Sequence, residues 1–437
     1  MIISSGVTCI IADDLTGAND SALQFHLHGA GTQILLSDDV DNLNNVKGTQ
    51  TWAISTESRN IPPKDAYERV KYLTQTMSEK FNPDYYFKKI DSTVRGNIAV
   101  EIIGMLEVLD WDAAVIIPAF PAEGRVTVGG YHLLRGTPIE RTEMARDPFS
   151  PICESHLPTM FVNQLGAEYS NLVASLNLRD VMKGAAPIIK TLNELIASGK
   201  KLIVVDAVST TDIEQVLLAM NKSDYKILPA GTAATASILS DMWYADFKRE
   251  HVNQTIPGLP KLVVSGSATE ITEAQIRMFE QSIDFDEYSI CINLDTETIL
   301  GGVTDDLVSR VLNNLGQSNI VVIHTSAVVK NFDGFSDASQ NAELTRDKLA
   351  MLITDFLAEL TKRVIEKKEV ILILLGGETS YKCCSAIGAT QLQLMDEVAP
   401  AIALSMDHNA QWIVTKSGNL GGTNTLIEIL NYFERHE

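Results

Sequence analysis

The chain has 437 residues, of which 45% are apolar and 21% charged, with a mean hydropathy of +0.05. That composition excludes a disordered chain, and at roughly 150 residues per domain the length predicts two or three domains. With 35 basic against 56 acidic residues the net charge is −21, which argues against nucleic-acid and anionic-membrane partners; positive charge for an anionic substrate must then be gathered in one pocket.

An apolar run at 7–12, closed by Asp13-Asp14 and Thr16-Gly17, reads as a strand and turn, and 19–28 as the following helix. The pattern recurs, with strands at 33–36 and 50–54, a helix at 64–79, a strand at 84–88, a helix at 98–109 and a strand at 113–118. Further on come a helix at 180–198, a strand at 201–206, a helix at 212–220, and a small-residue turn at 230–234 that opens a helix to about 249. The polar stretch HVNQTIPGLP at 251–260 carries two prolines and a glycine and reads as a linker. A second series follows, with strands at 261–264, 287–294, 319–324, 370–375 and 411–415. Its helices fall at 271–282, 304–315, 346–368 and 381–387. Short apolar strands alternating with helices predict two α/β domains, 1–250 and 259–437, each with a largely parallel sheet.

Five cysteines without a C-x-x-C pair or Cys/His ligand spacing read as reduced thiols in a cytoplasmic protein. The N-terminus lacks a basic region and does not read as a signal peptide. The longest apolar runs, AAVIIPAF and VILILL, fall far short of the ~20 residues that span a bilayer. His26 and His28 are two apart on one helix and share no face. His132, His156 and His324 have no ligand-like neighbours in sequence, and Cys383-Cys384 reads as packing.

Parallel sheets bind ligands where strands run out into loops. Four such loops in the first half are unusually polar: IADDLTGAND ends in one at 12–20, and STESR at 55–59, KKIDSTVRGN at 88–97 and PAFPAEGR at 118–125 form the others. They supply the cations Arg59, Lys89, Arg95 and Arg125 and the carboxylates Asp13, Asp14 and Asp91. Arginine and lysine can hold a carboxylate, Asp91, Ser92 and Thr93 can bond sugar hydroxyls, and an aspartate can accept the proton of an attacking hydroxyl. Taken singly, Asp, Ser and Thr before a helix are N-caps as readily as ligands; four specialised loops together favour a site. In the second half the loops at 264–269, 375–380 and 416–424 are rich in glycine and open helices, which suits a phosphate. No G-x-x-x-x-G-K-[ST] or G-x-G-x-x-G is present, so neither standard nucleotide fingerprint applies.

These blocks together, with GGETS at 376–380 and TKSGNLGG at 415–422, resemble the four-carbon acid sugar kinase family in order over nearly the whole chain. The resemblance implies an N-terminal domain that binds a sugar acid, a C-terminal domain that binds ATP, and an active site in the cleft between them. The activity it implies is phosphorylation of the terminal hydroxyl of D-threonate, D-erythronate or a 3-oxo-tetronate. It places substrate contacts at Asp13, Asp14, Arg59, Lys89, Ile90, Asp91 and Ser92, to which the loop reading adds Arg95, with Asp13 or Asp14 as the catalytic base. It places ATP at Ser265, Gly266 and Ser267, at Gly376, Gly377, Glu378 and Thr379, and at Ser417, Gly418 and Gly421, with Glu378 toward Mg²⁺. RTEMARDP at 141–148 and EVAP at 397–400 look most like the D-threonate kinase branch. Two departures stand out: Leu420 where many relatives carry Phe, and Ala401-Ile402-Ala403 where many carry Gly-Val-Pro. A sugar-acid-binding sensor is the alternative from another class, which the retained glycine loops disfavour. Homo-oligomer formation is left open.

Overall fold

The computed structural model describes residues 6–36, 48–147, 149–245, 256–267, 269–282, 289–326, 328 and 345–436. The chain divides into two compact units, Met1–Arg249 and Glu250–Glu437. Residues 246–255, which include the start of the expected linker, lie outside the described residues.

The first unit runs β1 (Thr8–Ala12), α1 (Leu15–Leu27), β2 (Gly31–Leu35), β3 (Thr49–Ser55), α2 (Pro63–Phe81), β4 (Tyr85–Lys89), α3 (Ile98–Leu109) and β5 (Ala113–Ile117). It continues β6 (Arg125–Val128), β7 (Tyr131–Leu134), β8 (Thr137–Pro138), α4 (Leu157–Leu165), β9 (Val173–Leu176), α5 (Leu178–Val181), α6 (Ala185–Ala197), β10 (Leu202–Val205), α7 (Thr210–Met220), β11 (Ile227–Gly231) and α8 (Ala233–Trp243). Its main sheet has the order β2-β3-β1-β4-β11-β5-β10-β9, every described pairing parallel. β1 and β5 are buried along their whole length, as strands covered on both faces must be. Cys9 and Ile11 pack with Val70, Leu73 and Met77 of α2 and Ile98, Ile102 and Met105 of α3. Thr8, which alternates with them, points to the other face, where its hydroxyl meets Tyr244 Oη at 3.0 Å beyond the end of α8. β6, β7 and β8 form a separate antiparallel sheet.

The second unit runs β12 (Lys261–Ser265), α9 (Glu270–Glu280), β13 (Ser289–Asn293), α10 (Thr296–Gly301), α11 (Asp305–Gln317), β14 (Ile320–His324), α12 (Arg346–Ile365), β15 (Ile371–Leu375), α13 (Gly377–Ala386), β16 (Gln391–Ala399), β17 (Ile402–Asp407), β18 (Trp412–Lys416) and α14 (Thr425–His436). The sheet order is β13-β14-β12-β15-β18-β17-β16. β17 pairs antiparallel with both β16 and β18; the rest is parallel.

Several expectations shift. The helix expected at 19–28 begins at Leu15, because the Asp14 side chain caps it by accepting from Gly17 N. The single helix expected at 180–198 is two, α5 and α6, separated at Gly184, whose φ of +86° suits glycine alone. The small-residue turn at 230–234 is half strand, since Ala230 and Gly231 belong to β11. The β6–β8 sheet, α4, β9 and the β16–β17 pair have no counterpart in the sequence reading.

Candidate functional site

The parallel registers fix where the polar loops of the first unit begin. Ala12 of β1 pairs with Ser55 of β3 and Lys89 of β4, while Gly231 of β11 pairs with Lys89 and with Ile117 of β5. Loops starting at 13, 56, 90 and 118 therefore leave the sheet at its carboxyl edge, side by side. Backbone bonds join the first two: Thr56 N donates to Ala12 O at 2.8 Å and Ser58 N to Asp13 O at 3.2 Å. Asn97 Nδ2 reaches back from the third loop to Ser58 O and Ile61 O, each at 2.8 Å. Gly96, at φ +88°, lets the chain pass close to Arg59; a Cβ there would lie 3.0 Å from Arg59 Cγ.

This bracing aims Arg59 at the first loop. Its Nε and Nη2 donate to Asp13 Oδ2 and Oδ1 at 2.7 and 3.0 Å, and its Nη1 donates to Asp14 Oδ2 at 2.8 Å. Nη2 also lies 3.8 Å from Asp91 Oδ1. Asp14 accepts from Thr16 Oγ1 at 2.8 Å as well. Burial would raise the Asp14 carboxyl, but the Arg59 guanidinium and the Lys89 ammonium outweigh it and hold Asp14 below the usual carboxylate range. In this arrangement Arg59 neutralises the chain's own carboxylates.

Asp91 sits in the third loop with a cation of its own. Arg95 Nε and Nη2 donate to its two oxygens at 2.9 and 3.0 Å, Thr93 Oγ1 donates at 2.5 Å, and Arg95 Nη1 donates to Asp147 at 2.9 Å. Burial opposes the charged form, yet Arg95 and Arg59 together keep Asp91 well below the ordinary range. Val94 closes the turn at φ +56°, a conformation uncommon for a β-branched residue. Lys88 and Lys89 part company because neighbours on a strand face opposite ways. Lys88, fully buried, pairs with Glu101 of α3 at 2.7 Å. Lys89 lies 3.5 Å from Asp20, whose side chain is a quarter exposed. A Cβ on Gly17 would stand 2.9 Å from Lys89 Nζ, so glycine keeps that ammonium against the helix start. Burial pushes Asp20 up to about 6 against the pull of Lys89.

Of the expected substrate residues, Asp13, Asp14, Arg59, Asp91 and Arg95 thus form one ion-pair network, with Lys89 beside it. The Ile90 side chain lies in the hydrophobic core and its N–H bonds Gly231 O at 2.9 Å. Ser92 offers its carbonyl to the His132 ring at 2.9 Å. His132 and Asp147 join this neighbourhood without having been read as parts of it, and so does Asp20, which lay in the 12–20 loop but was not named among the site residues. Asp20 carried a signal, since it lies four residues, one helical turn, on from Thr16; the other two arrive by tertiary folding alone.

In the second unit Ser265 of β12 pairs with Leu375 of β15, and Leu375 with Lys416 of β18, so the three glycine loops also leave one edge together. They are packed too tightly for side chains. A Cβ on Gly418 would lie 2.6 Å from Ser267 Oγ, and one on Gly266 2.6 Å from Thr379 Oγ1. Thr269 and Thr272 hydroxyls donate to Gly418 O at 2.8 and 2.7 Å, and Gln275 Nε2 donates to Leu420 O and Gly422 O at 3.1 and 2.8 Å. Gly376, at φ +114°, is the N-cap of α13 and puts Gly377, Glu378 and Thr379 in its first turn. Helix N–H groups beside backbone without side chains can cradle a phosphate. Ser417 and Gly421 lie in the loop after β18, Gly421 at φ +84°. Among the described residues no group of three or more His, Cys, Asp or Glu side chains is gathered to hold a metal ion, and no helix is long and apolar enough to cross a membrane.

Comparison with known proteins follows the same division. A family model described as a sugar-binding N-terminal domain matches residues 8–239, and one described as a nucleotide-binding C-terminal domain matches 262–426. The chain is 28% identical to D-erythronate kinase of Heliobacterium modesticaldum, over 97% of this chain and 96% of that protein. It is 28% identical to D-threonate kinase of Salmonella typhimurium, over 97% and 98%, and 27% identical to 3-oxo-tetronate kinase of Haemophilus influenzae, over 94% and 96%. Crystal structures of a Haemophilus influenzae protein (TM-score 0.72, 23% identity, 97% of this chain and 100% of that one) and a Salmonella typhimurium protein (0.75, 20%, 96% and 98%) share the fold. The chain belongs to the four-carbon acid sugar kinase family.

Proposed function

We propose that the protein transfers the γ-phosphoryl group of ATP to the terminal hydroxyl of a four-carbon sugar acid, D-threonate being the acid assigned. The observation that carries this reading is the pairing of two unlike strand-end loop sets in one chain. The first is charged and suits a hydroxylated acid; the second is glycine-lined at a helix start and suits phosphates. The choice of D-threonate rests on the blocks at 141–148 and 397–400.

Phosphoryl transfer asks the protein chiefly to position and to neutralise charge. Asp13 and Asp14, both paired with Arg59, orient the hydroxyl, and one of the two takes its proton as the new bond forms. Gly376, Gly377, Thr379 and the Ser265–Ser267 and Ser417–Gly421 backbone hold the phosphates. Mg²⁺, when it arrives with ATP, supplies charge neutralisation at the phosphates. It needs only one or two protein carboxylates, which fits a loop set whose first helical turn carries Glu378. A binder of sugar acids alone would have no use for the second loop set, which disfavours the sensor reading.

Coupled detection of ADP tests the proposal with D-threonate, D-erythronate and 3-oxo-tetronates as acceptors. D-Threonate should give the highest kcat/KM, and asparagine at the true base among Asp13 and Asp14 should lower kcat by roughly 10²–10⁴ while both substrates still bind. Turnover of another acid in preference corrects the substrate; no turnover of any of them refutes the kinase reading.

A further inference from the structure

Three arginines stand at the carboxyl edge of the first unit, and they are not alike. Arg59 and Arg95 each carry carboxylate partners at 2.7–3.0 Å. Arg125, at the start of β6, has a side chain only 9% exposed, yet its closest carboxylate among the described residues is Glu123 at 3.8 Å. Its Nε is buried without a hydrogen-bond partner. A guanidinium does not lose its proton in a protein, so this is a buried positive charge with donors to spare.

Its position is fixed by the fold. Arg125 N and O both pair with Phe120, which pins the 120–125 turn just beyond β5, whose last residue is in register with Gly231. The neighbouring strand β7 is tied across the third loop, because the His132 ring meets Ser92 O at 2.9 Å. Arg125 is thereby held near the third loop, close enough that Asp91 and Arg95 both act on its charge. The charged groups that act on it are Asp91 and Glu123 on one side of the balance and Arg95 and Arg135 on the other. Burial comes first and, with the two arginines, disfavours its charge more than the carboxylates favour it.

We propose that Arg125 binds the carboxylate of the sugar acid. This deepens the kinase reading above and rests on it. Arg59 is engaged bidentately by Asp13 and again by Asp14, whereas Arg125 has an unpartnered buried Nε and no carboxylate closer than 3.8 Å among the described residues. A planar fork of two N–H donors is the match for a carboxylate. Arg125 is then the residue that makes the enzyme select an acid over the corresponding polyol, which carries CH2OH in place of the carboxylate.

The test compares wild type, Arg125→Gln and Arg125→Lys on the preferred four-carbon acid and on its polyol, with ATP varied separately. Arg125→Gln should raise KM for the acid about 100-fold or more, leave KM for ATP within about threefold, and collapse the acid-over-polyol ratio of kcat/KM. Arg125→Lys keeps the charge without the fork, so it should fall between. Should the glutamine variant not fold, the lysine variant alone decides through its acid KM. A variant that folds and keeps the wild-type acid-over-polyol ratio overturns the proposal. So does a rise confined to KM for ATP, which would assign Arg125 to phosphate. A wild-type protein that phosphorylates none of the acids refutes the kinase reading and this proposal with it.

Discussion

Lys416 is wholly buried, and its partners among the described residues are two carbonyls, Ser417 O at 2.8 Å and Leu420 O at 3.1 Å, with no carboxylate. Burial pulls its ammonium down to about 7. Between that value and the ordinary ~10.4 of lysine the unfolded chain binds a proton that the folded one does not. Stability therefore rises with pH across this window, by about 1.4 kcal/mol per pH unit from this group, and the full burial cost is present below pH 7. Lys416→Met should flatten that rise. Denaturant unfolding at pH 7 and 9 measures it, and an unchanged pH dependence in the variant would show that Lys416 stays protonated when folded. Little of this was legible beforehand. Residue types at strand ends marked Asp13, Asp14, Arg59, Lys89 and Asp91 as a group. Which charge neutralises which depends on contacts across more than 40 positions of sequence, as from Asp13 to Arg59, and on burial, which no local pattern records.

Among the elements, those with a strong apolar period came through to within a residue or two, as α3 and β15 did. Those that failed have physical reasons. β11 ends in Ala230 and Gly231, which read as the start of a turn, and it holds Pro229 as well, yet it tolerates them inside the sheet. β16 alternates only until its register shifts between Leu394 and Asp396. The 401–403 departure falls at the β16–β17 turn, where Ala401 sits at φ +61°, in the region glycine prefers, so a glycine there would relieve that strain. Leu420 packs its side chain against the second unit's core, while its carbonyl ties the loop to Gln275 and Lys416. At the loops themselves, Gly376→Val would force a branched residue to φ +114° at the start of α13, a strain of roughly 1–3 kcal/mol. ATP affinity should drop about tenfold or more while the first unit binds sugar acid as before, which calorimetry with each ligand reads directly. Unchanged ATP affinity would place the nucleotide elsewhere.

At the scale of the molecule, the division into two α/β units was readable because strand–helix alternation restarts after residue 260. The loops of each unit gather at one edge because parallel strands in register end together. That rule let sequence group the candidate loops of each unit without any knowledge of their geometry. The central claim is that the two loop sets serve one reaction, phosphoryl transfer from ATP to a terminal hydroxyl. ³¹P NMR of the protein incubated with ATP, Mg²⁺ and D-threonate tests it most directly. The account predicts that a phosphomonoester signal grows in step with ADP and is split into a triplet by the two protons of a terminal CH2. Inorganic phosphate as the sole new signal, or a doublet from a single methine proton, would contradict it.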